Sequence, residues 1–205
     1  MESIKDIAIQ VIDTEANSIL GLKELLTDNF TKVVELILNS KGNVIVSGIG
    51  KSANIAQKIV ATLNSTGTTA VFMHAADAIH GDLGIIRDDD IVIIISKSGE
   101  TPEIKVLTPL IKTRGNKLVA IVGNTESFLA KEADYVIDTT VPHEACPNNL
   151  APTASTTAQL VMGDALAMPP PRPSSEEVPE CPFQDEGSQS LYVLPRPGRL
   201  LQTDG

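Results

Sequence analysis

Residues 91–95, Ile-Val-Ile-Ile-Ile, are apolar and β-branched at every position. A strand with one face in water alternates apolar and polar residues, so this run predicts a strand buried on both faces, as in the centre of a parallel sheet. Four more β-rich runs are separated by segments of helical pattern, and this alternation favours βαβ units. We therefore predict a three-layer α/β fold with a five-stranded parallel sheet flanked by helices. The other four runs are Val44–Val46, Thr69–Met73, Leu118–Val122 and Tyr135–Asp138.

The chain divides into two parts of different composition. Residues 1–167 carry the alternating pattern, which begins with an apolar helical stripe over residues 2–26. Residues 168–205 hold eight of the 13 prolines and no lysine. Proline fixes φ and removes an N–H donor, so this spacing excludes long regular helices and strands. We predict one folded domain over 1–167 and an irregular Pro-rich segment over 168–205.

Charge and cysteine content exclude several classes of function. Lys plus Arg number 16 and Asp plus Glu number 26, which gives a net charge of −10. We expect no nucleic-acid binding, since that requires a basic surface, whereas a few local donors can still bind a small anion. Cys146 and Cys181 are interpreted as free thiols, being too few for a disulfide framework. Without a membrane span or an apolar N-terminal signal, we expect a cytoplasmic protein that makes no contact with membranes.

In a sheet of this type, ligands bind where the carboxyl ends of the strands meet the following loops. The first such turn is Ser47-Gly48-Ile49-Gly50-Lys51-Ser52. A P-loop would need its first glycine at Ile45, and a dinucleotide site would need an acid at the end of the next strand, which is absent. A glycine turn that opens a helix remains, with Lys51 beside free helix N–H groups. That arrangement suits an anion or oxyanion, and a tight turn with a surface lysine is the alternative.

The turn after the most apolar strand carries three hydroxyls around Gly99, from Ser96, Ser98 and Thr101. Pro102 suits the first turn of a following helix, where its missing N–H costs little. Hydroxyls together with free N–H groups can hold a phosphate without a basic residue. An ordinary helix N-cap is the alternative, but three hydroxyls at this spacing favour phosphate binding.

These turns resemble the signatures of sugar isomerase (SIS) domains, and in particular of SIS-domain arabinose-5-phosphate isomerases. The resemblance covers about residues 1–167 and depends on several long motifs in the right order, which makes it far more specific than one short pattern. Besides the two turns above, the motifs are Asn64-Ser65-Thr66-Gly67-Thr68, His80-Gly81-Asp82-Leu83-Gly84, Glu144-Ala145-Cys146-Pro147, Leu150-Ala151-Pro152-Thr153-Ala154-Ser155-Thr156-Thr157 and Met162-Gly163-Asp164-Ala165-Leu166-Ala167.

The resemblance implies an enzyme that interconverts D-arabinose 5-phosphate and D-ribulose 5-phosphate through an enediol(ate), for synthesis of the lipopolysaccharide sugar Kdo. It also implies a homotetramer with active sites between subunits and no required cofactor. Such an isomerase needs a base near C2 and stabilisation of the developing oxyanion. By resemblance, Lys51, Glu103 and Glu144 are the catalytic positions. We expect a glutamate to be the base and Lys51 to stabilise the oxyanion, with the choice between the two glutamates open.

The resemblance also implies contacts with the substrate outside these three positions. It places His74 and His80 at the substrate site, with His74 able to take an inhibitory zinc ion, although one histidine alone is a weak metal site. The other substrate-binding positions that it implies are Ser47, Gly48, Gly67, Thr68, Ser96, Ser98, Gly99 and Thr101.

The resemblance ends after Ala167. In the family, a longer helix follows there, then an H-P-G-G-x-L-G segment whose histidine contributes to catalysis, and in many members tandem CBS domains. Here Met168-Pro169-Pro170-Pro171 follows, and the three histidines of the chain are His74, His80 and His143. We therefore expect phosphosugar binding with low turnover. A phosphosugar-binding module without catalysis and an isomerase of another sugar phosphate stay open as alternatives.

Overall fold

A computed structural model of the protein describes residues 3–168. All five predicted strands are present, and no strand end differs by more than two residues from its predicted position. The predicted irregular segment 168–205 lies, beyond Met168, outside the described residues. The strands are β1 (Val44–Gly48), β2 (Ala70–His74), β3 (Ile91–Ser96), β4 (Lys117–Val122) and β5 (Tyr135–Asp138). The helices are α1 (Ile4–Leu25), α2 (Asp28–Asn39), α3 (Lys51–Ser65), α4 (Ala75–Ala78), α5 (Pro102–Arg114), α6 (Phe128–Glu132) and α7 (Ala154–Ala167), with a short 3-10 helix at Asp82–Ile85.

The strands form one parallel sheet in the order β2-β1-β3-β4-β5. The predicted five-stranded parallel sheet is therefore confirmed, with β3 at its centre and buried along its whole length. From β1 the chain first adds β2 on one side and then crosses over to add β3, β4 and β5 on the other. Loops leaving β1 and β3 consequently diverge, which opens a crevice at the carboxyl edge between these two strands.

Helices cover both faces of the sheet, which gives the predicted three layers. Alternate residues of β3 point to opposite faces, so Ile93 packs with α1, α2, α3 and α7, whereas Ile94 packs with α4, α5 and α6. Both side chains are at most 1% exposed. Full burial of one such side chain stabilises the fold by roughly 1.5–3 kcal/mol. The all-apolar run thus contributes side chains to the hydrophobic cores on both faces of the sheet.

Helices α3 and α7 pack closely against each other. A Cβ added at Gly163 of α7 would lie 2.1 Å from the Cδ1 atom of Ile59 of α3, so the helices approach to a distance that only glycine permits at this position. In the sequence, the helical pattern of this segment covers Thr157–Ala167, whereas the structure begins the helix at Ala154. The three added residues lie at the carboxyl edge of the sheet, next to the crevice.

The apolar stripe of α1 is only partly used within one chain. Leu22 near its end is buried, but Ile4 is 89% and Ile12 65% exposed. The first half of α1 therefore presents an apolar surface to solvent. None of the helices between residues 3 and 168, α1 included, is long and apolar enough to cross a membrane.

Candidate functional site

A cavity of about 260 Å³ lies in the crevice between the carboxyl ends of β1 and β3. It brings together four of the predicted site residues, Lys51, Ser96, Ser98 and Thr101. A hollow of about 580 Å³ at the opposite, amino edge of the sheet has lysines and aspartates on its wall but none of the predicted residues. The smaller cavity is thus the candidate site. Its lining consists of Ile49, Lys51, Ser52, Ser96, Lys97, Ser98, Thr101, Pro152, Ser155, Thr156 and Gln159.

Three hydroxyl residues, Ser96, Ser98 and Thr101, form what we call the phosphate cradle. Ser96 Oγ accepts a hydrogen bond from the Gly99 N–H over 3.0 Å, and Ser98 Oγ accepts one from the Glu100 N–H over 3.2 Å. Thr101 Oγ1 is buried and makes no hydrogen bond within residues 3–168. A buried hydroxyl without a partner is costly unless a ligand supplies one. This hydroxyl is therefore able to form a hydrogen bond with a ligand in the cavity that Thr101 lines.

Gly99 is required for the shape of the cradle. Its φ is +63°, a backbone conformation that residues other than glycine rarely adopt. An added Cβ would also lie 2.1 Å from Ser127 Oγ. Its carbonyl oxygen accepts a hydrogen bond from the Leu129 N–H over 3.1 Å, which ties the turn to α6. In the structure, Gly99 therefore acts through its backbone, by allowing the turn and by anchoring it to α6.

The first turns of α3, α5 and α7 all lie at the cavity. Gly50 and Thr101, the N-cap residues of α3 and α5, make no side-chain hydrogen bond to their helices, so the first N–H groups have no side-chain acceptor. Helix N-termini carry partial positive charge. Lys51 and Lys97 both line the cavity. Together these donors and charges make the cavity suitable for an anion.

Glu144 lies behind the wall of the cavity rather than on it. Its side chain is fully buried, and its carboxylate accepts hydrogen bonds from Lys97 Nζ (2.5 Å), Thr153 N (2.8 Å), Ser155 N (3.1 Å) and the hydroxyls of Thr153 and Ser155. Burial acts to raise the pKa of Glu144, but the hydrogen bonds from Lys97, Ser155 and Thr153 outweigh it and lower the pKa from 4.5 to about 2. Glu144 is therefore ionised across the ordinary pH range.

Glu103, the other predicted glutamate, is the second residue of α5. It is half-buried, does not line the cavity and forms no hydrogen bond or ion pair within residues 3–168. Glu103 thus keeps a free carboxylate near the cradle, whereas Glu144 has its lone pairs occupied.

Ser47 and Gly48 end β1 below the cavity. Ser47 is fully buried, and its hydroxyl has no hydrogen-bond partner within the described part of the chain. A Cβ added at Gly48 would lie 3.0 Å from the backbone of Ser52, so the turn into α3 is tight. Neither residue lines the cavity directly. Gly48 allows the turn that brings Lys51 to the wall.

Gly67 and Thr68 are not brought to the cavity of the same chain. They follow α3 and precede β2, at the amino edge of the sheet, whereas the cavity lies at the carboxyl edge. Gly67 has φ +85°, and the Thr68 N–H donates to the Leu63 carbonyl over 2.8 Å, as expected for residues that end a helix. Within one chain their role is to terminate α3.

His74 and His80 lie at the carboxyl edge but outside the cavity lining. His74 ends β2, and its Nδ1 is 3.6 Å from Asp77 Oδ2, while His80 is exposed. No group of three or more His, Cys, Asp or Glu side chains that could hold a metal ion occurs between residues 3 and 168. The described residues of one chain therefore do not form a zinc site by themselves, and zinc at His74 stays a prediction.

Five polar cavity residues were not among the predicted site residues: Ser52, Lys97, Ser155, Thr156 and Gln159. Ser52 Oγ donates to Gln159 Oε1 over 3.1 Å and so joins α3 to α7 across the cavity. The hydroxyl-rich run at the start of the last helix was a usable signal for Ser155 and Thr156. Lys97 stood inside the predicted phosphate turn but was not singled out. No local pattern pointed to Gln159.

The family model described as SIS domain matches residues 36–169. The chain belongs to the SIS domain family. It is 50% identical over 161 residues to a Pseudomonas aeruginosa protein named arabinose 5-phosphate isomerase KdsD, with 78% of this chain and 49% of the relative covered. It is 52% identical over 146 residues to the KpsF arabinose 5-phosphate isomerase of Escherichia coli CFT073, with 71% and 45% covered.

The fold has a counterpart among solved structures in an Escherichia coli CFT073 protein in complex with arabinose 5-phosphate. The two share 37% sequence identity with a TM-score of 0.77, over 82% of this chain and 90% of that one. The resemblance found in the sequence is thereby confirmed. The chain spans about half the length of the curated relatives it matches.

Proposed function

We propose that this domain binds a phosphorylated sugar in the cavity and interconverts D-arabinose 5-phosphate and D-ribulose 5-phosphate. The observation that carries the proposal is the buried, unpartnered Thr101 hydroxyl within the cradle at the open N-terminus of α5. Lys51 and Lys97, which also line the cavity, add the positive charge that a phosphate requires. The names of the relatives supply the identity of the sugar.

The isomerisation moves a proton between neighbouring carbons. A base removes the C2 proton of the aldose, and the electrons of that C–H bond form the C1=C2 bond while those of the carbonyl pass to O1 to give an enediolate. The hydroxyl proton of O2 moves to O1, and the base returns its proton to C1 as O2 becomes the ketose carbonyl. We propose Lys51 as the cation that stabilises the developing oxyanion. We propose Glu103 or Glu144 as the base. Glu103 has a free carboxylate, and Glu144 is held ionised behind the wall.

A binding module without catalysis is the second candidate function. The position of Glu144 favours it, because a carboxylate with five hydrogen-bond donors and a pKa of about 2 is a weak base. The low turnover expected from the sequence concerns residues beyond 168, which lie outside the described part of the chain, and stays a prediction. An isomerase of another sugar phosphate would use the same cradle.

We propose further that the chain is cytoplasmic and forms a homotetramer. In this proposal its isomerase activity serves the synthesis of Kdo. The exposed apolar residues of α1 support self-association, since Ile4 and Ile12 are 89% and 65% exposed. Light scattering of the purified chain and of a variant with Ile7→Asp and Ile12→Asp tests it. A wild-type protein that is monomeric at micromolar concentration would exclude the proposed assembly.

The proposed activity is tested by incubating the purified chain with D-arabinose 5-phosphate and following D-ribulose 5-phosphate by NMR. Unphosphorylated D-arabinose is the control for the phosphate requirement, and D-fructose 6-phosphate tests for another sugar. Calorimetry on the same sample measures binding separately. Binding without turnover of either phosphate would favour the binding module, and the absence of binding would exclude both functions.

A further inference from the structure

Lys97 joins two parts of the site that are distant in sequence. Its ammonium donates to the buried carboxylate of Glu144 over 2.5 Å, although the two residues are 47 positions apart. At the same time its side chain, 46% exposed, lines the cavity between Ser96 and Ser98 of the cradle. An ammonium has three N–H donors. One faces Glu144, so the group has further donors for a ligand in the cavity.

Glu144 does not depend on Lys97 to keep its position. Its other four donors are the backbone N–H and hydroxyl groups of Thr153 and Ser155, all neutral and all at the start of α7. If Lys97 turned away, these four would still hold the carboxylate at the N-terminus of the helix, which itself favours a negative charge. What Glu144 would lose is its one cationic partner among residues 3–168.

A phosphate group in the cradle would compete for the same ammonium. It carries between one and two negative charges at neutral pH and three acceptor oxygens. Lysine is a compact charge on a flexible stem with rotatable donors, so it can change partner without moving the backbone. The Lys97 backbone is held in place, because its carbonyl oxygen accepts from the Gly123 N–H over 3.0 Å.

We propose that Lys97 exchanges partners, pairing with Glu144 in the free protein and with the phosphate of a bound ligand. The inference rests on the proposed phosphosugar binding and adds a coupling to it. Occupation of the cradle removes the cation from Glu144 and leaves a carboxylate held by neutral donors alone, with a stronger affinity for protons. Phosphate binding thereby changes the electrostatic surroundings of Glu144 and of the first turn of α7, whose donors hold its carboxylate.

The test uses Lys97→Met, which keeps an apolar stem and removes the charge, and Lys97→Arg, which keeps a cation. Lys58→Met is a matched control, because Lys58 is 48% exposed and also forms a 2.5 Å ion pair, with Asp164, outside the cavity lining. Each protein is titrated with inorganic phosphate by calorimetry. We expect phosphate affinity to fall at least about tenfold in Lys97→Met, to stay within a few-fold in Lys97→Arg, and to be unchanged in Lys58→Met.

The second readout is the side-chain carboxyl ¹³C signal of Glu144, assigned by its loss in Glu144→Gln. We expect phosphate to shift this signal in the wild type and in Lys58→Met. In Lys97→Met the signal is expected to differ from that of the wild type before phosphate is added, and not to change when phosphate is added. Equal phosphate affinity of wild type and Lys97→Met, or a Glu144 signal unmoved at phosphate saturation in the wild type, would overturn the inference.

The outcomes separate this inference from the proposed function. Normal isomerisation with an unmoved Glu144 signal would leave the function standing and reject the exchange of partners. Phosphate coupling to Glu144 without isomerisation would support the exchange and favour the binding module. A wild-type protein that binds neither phosphate nor phosphosugar would reject both.

Discussion

The backbone N–H of Ser155 donates to Glu144 Oε2 over 3.1 Å, so a carboxylate eleven positions earlier in the chain caps the start of α7. The N-cap residue of that helix, Thr153, makes no side-chain cap of its own. A buried charge therefore replaces the usual local cap, and one wall of the cavity depends on the ionisation of Glu144.

This dependence predicts acid sensitivity. In the unfolded chain Glu144 has its ordinary pKa near 4.5, and in the folded chain the pKa is lowered to about 2. The stabilisation is therefore fully present above pH 4.5 and is lost as the pH falls toward 2. It amounts to about 3 kcal/mol at pH 7. We expect Glu144→Gln to lower the free energy of unfolding by about this amount at pH 7 and by less than half of it at pH 3.

Urea unfolding of both proteins at pH 7, 5 and 3 measures this difference. Glu126→Gln is the control, because the Glu126 side chain is 83% exposed and its ion pair with Lys131 is long at 3.6 Å. A stability difference between wild type and Glu144→Gln that stays constant from pH 7 to pH 3 would contradict the prediction.

The phosphate cradle gives the second prediction. Each hydrogen bond lost to a charged phosphate costs about 1.5–3 kcal/mol, so Ser98→Ala combined with Thr101→Ala is expected to weaken D-arabinose 5-phosphate binding at least about 100-fold. Thr113→Ala on α5, the helix that follows the cradle, is the control, since its hydroxyl donates to the Pro109 carbonyl and Thr113 does not line the cavity. Calorimetric titration compares the wild type, the double variant and Thr113→Ala. Equal affinities of the wild type and the double variant for D-arabinose 5-phosphate would show that the cradle does not bind the sugar.

The third prediction concerns the base. If Glu103 removes the substrate proton, Glu103→Gln keeps the shape and lowers kcat at least about 100-fold, with a much smaller effect on substrate affinity. Glu100→Gln is the matched control in the same turn, where the Glu100 carboxylate pairs with Lys105. Incorporation of solvent deuterium at C1 or C2 of the sugar reports proton transfer directly. Unchanged exchange in both Glu103→Gln and Glu144→Gln would exclude the two glutamates as the base.

The fourth prediction concerns the contact between α3 and α7. The added methyl of Gly163→Ala would overlap the fully buried Ile59, and overpacking of this kind destabilises by about 1–3 kcal/mol. Gly21→Ala, at an exposed position of α1, meets no atom within 4 Å and is expected to stabilise by about 0.5–1 kcal/mol. Thermal unfolding measures both. A stable Gly163→Ala would mean that the two helices can move apart freely.

Much of the fold could be predicted because its signals are local. The run Ile91–Ile95 is apolar at every position, which predicts burial on both faces and therefore a parallel sheet covered by helices on both sides, as the structure has it. The grouping of Ser96, Ser98 and Thr101 at one cavity could likewise be predicted, since the three side chains and Gly99 lie within six residues of sequence. Phosphate binding by them stays a prediction.

The part of the site that could not be predicted depends on contacts between distant segments. The sequence by itself determined which segments become strands and which turns lie at their carboxyl ends, because residue size, branching and backbone preference act over a few neighbours. Only the tertiary structure decided that Lys97 would pair with Glu144 across 47 positions and Ser52 with Gln159 across 107. It also decided that Gly67 and Thr68 would lie at the opposite edge from the cavity. The physical reason is that the order of the strands and the packing of α7 against α3 set these distances, and both arise from crossovers and core packing rather than from any local pattern.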